Sequence, residues 1–459
     1  MTVLLEPADV NSNFFIFTLS HSVERQYKLV FLNSWQRKFI NYRWLLDIRR
    51  IIIDRNQCLT MSDSGNLCIE EIAKEPGLLI RSCKIKINGN VAITPTKTIG
   101  VKSSDTTEVK IAEDQIDNNF RPFGEVYAKI SLSELSEYIK NDEKCQKFTS
   151  QLAYKLSQLN QIGALPYILL SIVDENGNPV NRLLAKQVQK FLFDVLWGTP
   201  GNKIITTPLI GTLSTPDEYA KMINAFRERQ LAAIDRKNLP IMAVVPPSYS
   251  LIDPNLLKKY WQAGVRIYGY NCENKKYGAF GYVIESIHNE LSKFSKQDEE
   301  MYIINALNSK YKIGKTKTSR VNDLIGTGFG FDTYSPNHIP TKFIPPVKMK
   351  HYLFDREDYG FIEVNEIENV KNAEKILNSN TLKNVDLSQL SEYPEDKVKK
   401  ICKTHDFETN IKEVSQYCKL IKREKLFHYL SSKEKIRNET HEISAFRHGH
   451  QINLNEWFT

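Results

Sequence analysis

The sequence predicts an α/β chain built on a (β/α)8 TIM-type barrel with an antiparallel hairpin insertion and a C-terminal helical subdomain. Three observations predict it. From Pro166 onward, short apolar runs alternate with amphipathic stretches of helical length. Asn88-Gly89 lies between two runs of period-two alternation. After Pro346 the alternation stops and helical patterning takes over.

The elements follow in order. PYILLSIVD (166–174) is a buried strand, and NRLLAKQVQKFLFDVLWG (181–198) a helix. KIITTPLIG (203–211) is the next strand, and Thr215-Pro216-Asp217-Glu218 starts a helix with an N-cap Thr and a proline in the first turn. LPIMAVVPP (239–247) is a strand, and DPNLLKKYWQAG (253–264) a helix closed by Gly264. RIYGYN (266–271), YVIESIHNELSKF (282–294) and MYIINALN (301–308) read as strand, helix and strand. NDLIGTGFGFDTYSP (322–336) is glycine-rich and strand-like at its ends, with Asp332 read at the carboxyl end of the last strand.

The earlier runs 13–20, 56–65 and 125–132 are expected to complete about eight staves. Residues 78–96 form the inserted hairpin. The expected domains are therefore 1–346, the barrel, and 347–459, a mostly helical basic region.

Composition narrows the function. Hydrophobic residues make up 41% and charged residues 25%, ordinary values for a globular chain. No stretch approaches the roughly 18 apolar residues of a membrane span, so no membrane partner is expected. MTVLLEPADVNSNFF lacks the basic start of a secretory signal. The seven cysteines are scattered in a way that suggests no disulfide framework, and a cytoplasmic location is expected. The net charge of +8 permits a polyanionic partner without demanding one. Between Glu395 and Arg437, twelve Lys/Arg face seven Asp/Glu, which suits either a solvated helix face or a nucleic-acid contact.

Barrel chemistry sits at the carboxyl ends of strands. That rule singles out Ser62-Asp63-Ser64-Gly65, Gly211-Thr212 and Gly330-Phe331-Asp332-Thr333. Asp63 and Asp332 on one pocket would supply a nucleophile or base and an acid; separately, each suits an ordinary turn. His21 and His338 are lesser candidates, the latter close to Asp332 in sequence. Cys402-x-x-His405 has ligand-like spacing, with Cys418 and His428 following, so a zinc site and a plain helix face both remain open. No phosphate-binding G-x-x-x-x-G-K-[ST] or G-x-G-x-x-G opening a helix is present, and no nucleotide or redox cofactor is expected.

Taken in order, these segments resemble the tRNA-guanine transglycosylases. Met61–Gly65 is similar to the family's T-D-S-G-G loop, and Gly328–Thr333 to its G-x-D-x-F-D-S strand end. Lys403–Phe407, Ile411–Val414 and Arg423–Leu426 resemble the archaeal-type segment H-N-L, E-E-I, E-G-x-L. The family's C-x-C-x-x-C knuckle has no counterpart before His405, and Asn66 replaces the loop's second glycine.

The resemblance implies a covalent transfer at a flipped guanosine. Asp332 would attack the sugar, and Asp63 would handle the base with Ser64, Gly65 and Gly211 around it. His405 would be a structural zinc ligand, with Cys402 beside it. The partners implied are nucleic acid, DNA ahead of tRNA, and a 7-deazaguanine base, with a protein partner or homodimer left open. Two other readings stand beside it: an inactive transglycosylase-like nucleic-acid-binding subunit, and an unrelated barrel hydrolase using an aspartate pair.

Overall fold

The computed structural model describes residues 2–5, 15–18 and 67–445, the last with interruptions at 102–106, 117–119, 212, 214, 233–237, 246–253, 274, 276, 309–322, 337, 339–350 and 364–392. The chain divides into two compact units, 1–61 and 62–459. In the first, β1 (Thr2–Leu5) and β2 (Phe15–Thr18) pair antiparallel, Val3 facing Phe17. The run at 13–20 is therefore half of a hairpin and not a stave of the parallel sheet. The run at 56–65 lies outside the described residues.

The second unit is a mixed α/β fold with a parallel sheet and helices. It opens with an antiparallel sheet of β3 (Leu67–Lys74), β4 (Arg81–Ile87) and β5 (Asn90–Ile93). The expected hairpin is present: Asn88 and Gly89, at φ 48° and 85°, form the two-residue turn between β4 and β5. Both central residues at positive φ is the geometry that Asn-Gly favours.

Two parallel ladders follow. One joins β7 (Ile99–Gly100), β8 (Phe123–Ser131) and β9 (Leu165–Val173). The other runs β10 (Ile205–Thr206), β11 (Ile241–Val245), β12 (Ile267–Asn271), β13 (Ile303–Leu307), β14 (Thr333–Tyr334) and β6 (Thr96–Lys97). Only Thr98 separates β6 from β7, so segment 96–100 pairs with β14 on one side and β8 on the other. Isolated parallel bridges Tyr167↔Ile204 and Ser171↔Leu209 link β9 to the segment containing β10. The strand at 96–100 went unread because the hairpin reading absorbed its first residue.

Helices α1 (Thr107–Gln115), α2 (Leu132–Lys140), α3 (Asp142–Gln161), α4 (Lys186–Gly198), α5 (Pro216–Ala232), α6 (Pro254–Gln262) and α7 (Gly281–Asp298) connect these strands. Ser131 caps α2 in a reciprocal box with Glu134, and Gly264, at φ +77°, ends the turn after α6. The helices bury Leu156, Leu196, Phe226, Leu257 and Ile287 against one face of the strands. On the other face, Phe123, Leu165, Ile204, Ile267 and Ile303 pack with Cys83, Ile85 and Ile87 of β4. These five lie at the starts of their strands, so the antiparallel sheet covers the amino end of the parallel one.

Beyond 346, β15 (Tyr352–Asp355) and β16 (Gly360–Glu363) form a hairpin, followed by α8 (Glu395–Ile421), α9 (Leu426–Ser431) and α10 (Arg437–Ala445). The expected boundary at 346/347 lies outside the described residues. Helix α8 packs on α1, β4, β6 and β15, which ties this region to the sheet. No helix among the described residues is long and apolar enough to cross a membrane.

Candidate active site

Asp332 is where the structure departs most from the sequence reading. It precedes β14, at the amino end of that strand, because the GTGFG segment forms a 3-10 turn at Asp323–Thr327 and not the strand itself. Its backbone N–H donates to Ile304 O, and Ile304 N–H donates back to its Oδ2, both at 2.8 Å. Arg81 Nε and Nη2 grip Oδ1 and Oδ2 at 2.9 and 2.7 Å, and the guanidinium also donates to Tyr302 O at 2.8 Å. Arg81 lies 4.4 Å from the Tyr302 ring centroid. Burial opposes the Arg81 charge most, but Asp332, Cys83 and Tyr302 together hold the group above its ordinary range.

His288 completes the cluster, its Nδ1 at 2.9 Å from Tyr302 Oη and Nε2 at 2.8 Å from Gly330 O. Gly330 has φ +91°, and a Cβ there would lie 2.8 Å from His288 Nε2, so the turn needs glycine. A carboxylate with both oxygens held by a bidentate arginine and a backbone N–H has little left for chemistry.

Two residues beyond Phe123, the sheet holds a second buried carboxylate that the sequence reading missed. Glu125, on β8, is 1% exposed. Its Oε2 accepts from the Tyr167 hydroxyl at 2.8 Å, and its Oε1 is paired with Nε2 of His338. Tyr167 in turn contacts Ser335 Oγ at 2.6 Å and accepts from Asn305 Nδ2 at 2.9 Å. Burial pushes the Tyr167 phenol well above its ordinary value, so it stays a neutral donor. His338 lies past β14, its N–H donating to Asn308 Oδ1 at 3.3 Å and its ring stacked on Tyr127 with centroids 3.8 Å apart.

Four strands and one loop thus converge: β8 gives Glu125 and Tyr127, β9 Tyr167, β13 Asn305, the end of β14 Ser335, and the following segment His338. Alternation puts Thr98 and Thr333 on the same inner side, opposite Ile99 and Tyr334 of the helix-facing core. Both threonine hydroxyls are buried without a partner among the described residues, leaving hydrogen-bonding capacity for a bound polar group. His338 was a candidate, but it meets Glu125 and not Asp332. The signal for Glu125 was available: the one carboxylate in the strand FGEVYAKIS.

The remaining expected residues are placed as follows. Asp63, Ser64 and Gly65 lie outside the described residues. Gly211 donates to Val180 O at 3.0 Å and is packed so tightly on Asn181 that a Cβ would fall 1.6 Å from its Oδ1. His405 is buried on α8, its Nε2–H donating to Phe354 O at 3.0 Å, and burial holds its pKa below the ordinary value. Cys402 is buried one turn earlier, its thiol pushed up to about 12 by burial. Among the described residues no group of three or more His, Cys, Asp or Glu is placed to hold a metal ion.

No protein-family model matches the chain, and no curated protein matches it.

Proposed function

We propose that the chain is a glycosyl-transfer enzyme on a closed (β/α)8 barrel, with its proton-transfer centre at Glu125 and His338. Closure is supported by segment 96–100, which pairs with β14 and β8, and by the two bridges between β9 and the β10 segment. Counting 96–100 as one stave, with β8 to β14, gives eight. The observation that carries the enzymatic reading is the buried Glu125 carboxylate held against an imidazole and a phenol. Barrel interiors are ordinarily filled by branched apolar side chains, and burying a carboxylate there opposes folding. Acid–base logic recurs in it: a histidine just past β14, oriented by a carboxylate.

The substrate class rests on the resemblance read from the sequence: exchange of guanine for a 7-deazaguanine in nucleic acid, DNA ahead of tRNA. In that reaction His338 gives a proton to the departing guanine as the C1′–N9 bond breaks, the electron pair leaves with the base, and C1′ passes as an oxocarbenium ion to the incoming base. His338 takes one back as N9 of the incoming base bonds to C1′. Glu125 offsets the imidazolium charge, and Tyr167, Asn305 and Ser335 hold Glu125 in place. Asp332 is assigned to folding, because freeing it as a nucleophile would break a buried pair at a cost of about 3–5 kcal/mol.

The test is incorporation of labelled guanine and 7-deazaguanine into DNA and tRNA side by side. Wild-type protein incorporates label, DNA more than tRNA, and His338→Asn loses about 10²-fold or more. No incorporation into either polymer sinks the reading. Salt-dependent binding without turnover would then favour a non-catalytic nucleic-acid-binding barrel, the reading that the locked Asp332 suits.

A further inference from the structure

Helix α3 buries Leu152, Leu156 and Leu159 against the sheet. A second stripe of the helix forms, with Val101, a groove of about 510 Å³ lined by Lys147, Ser150, Gln151, Tyr154, Lys155 and Gln158. The helical residues fall at i, i+3, i+4, i+7, i+8 and i+11, one continuous stripe containing no carboxylate. Tyr154 is 65% exposed, the largest value among the exposed large hydrophobic residues described. Lys144, one turn before, is tied to Glu137 at 2.7 Å, whereas Lys147 and Lys155 have no ion pair among the described residues. The Gln158 side-chain oxygen is buried without a partner among the described residues.

We propose that this groove holds a single-stranded stretch of the nucleic-acid substrate, a base stacked on Tyr154 between phosphates held by Lys147 and Lys155. The inference rests on the proposed function for its polymer, and the groove itself supplies the complementarity. Eight residues of helix set the two lysines about 12 Å apart, with Tyr154 between them. An exposed aromatic face flanked by cations and neutral amides matches strand binding by stacking and charge. An acidic peptide would use the lysines and leave the ring idle. The floor residue, Val101, donates its N–H to Glu125 O at 3.2 Å, so the groove lies against the strand pair that carries the candidate centre.

The experiment is fluorescence anisotropy with a labelled single-stranded oligonucleotide across a salt series. Tyr154→Ala weakens binding about 5- to 100-fold, and Tyr154→Trp restores it. Lys147→Gln with Lys155→Gln lowers the slope of log affinity against log salt by about 1.4. All three positions are on the surface, and unchanged thermal melts confirm that folding is not the cause. Wild-type affinity in both Tyr154→Ala and the lysine pair overturns the inference, as does polyglutamate competing as well as unlabelled oligonucleotide. Exchange on a free guanosine nucleoside, too short to reach the groove, separates this from the reading of the centre. Groove variants keep that exchange and Glu125→Gln loses it; exchange without groove binding sinks the groove alone, and groove binding without exchange sinks the centre alone.

Discussion

Two carboxylates are buried in this sheet at different levels, and their partners differ in kind. Asp332, toward the amino end, meets a permanent cation and a backbone N–H. Glu125, third in β8, meets a phenol that stays protonated and an imidazole, a group that exchanges protons. The first arrangement fixes a charge and joins the covering sheet to the strands through Arg81. The second holds a proton in a place where it can move. Burial alone does not mark a catalytic acid; the chemistry of the partners does.

The largest expected effect comes from breaking the first pair. Arg81→Ala leaves Asp332 buried and uncompensated and is expected to cost about 3–5 kcal/mol, read by chemical denaturation. A loss below about 1 kcal/mol would mean that the cluster does not hold the covering sheet. The same variant should expose Cys83, which lies under the sheet with its thiol pushed up to about 12 by burial. In native wild-type protein Cys83 resists alkylation while exposed Cys68 reacts, and mass mapping should show Cys83 reacting faster in Arg81→Ala. At the other level, Tyr127→Ala removes the ring stacked on His338. A loss of about 0.5–1.5 kcal/mol of positioning should lower exchange several-fold while leaving the melt close to wild type. An equal fall in stability would make Tyr127 a packing residue only.

Much of the architecture was legible because its signals are local. The alternation from 166 onward gave β9 to β13 and their helices, and Asn88-Gly89 gave the hairpin, since its turn needs two positive φ values. What failed depended on distant partners. The run at 13–20 has strand composition, but composition does not say whether a strand pairs with β1 or enters a parallel sheet. The glycines before Asp332 look strand-like, yet Gly330 serves the close approach of His288, which moves Asp332 to the start of its strand. Glu125 was passed over because its importance depends on His338 and Ser335, more than 200 residues away in sequence. Asp332 drew notice through its motif, which carries no information about Arg81.

The most direct test compares exchange rates, per folded molecule, of Asp332→Asn and Glu125→Gln. The account predicts that Asp332→Asn is destabilised but exchanges within about tenfold of wild type, whereas Glu125→Gln folds and loses about 10²- to 10⁴-fold. Abolished exchange in folded Asp332→Asn, with Glu125→Gln near wild type, would contradict it and return the nucleophile to Asp332.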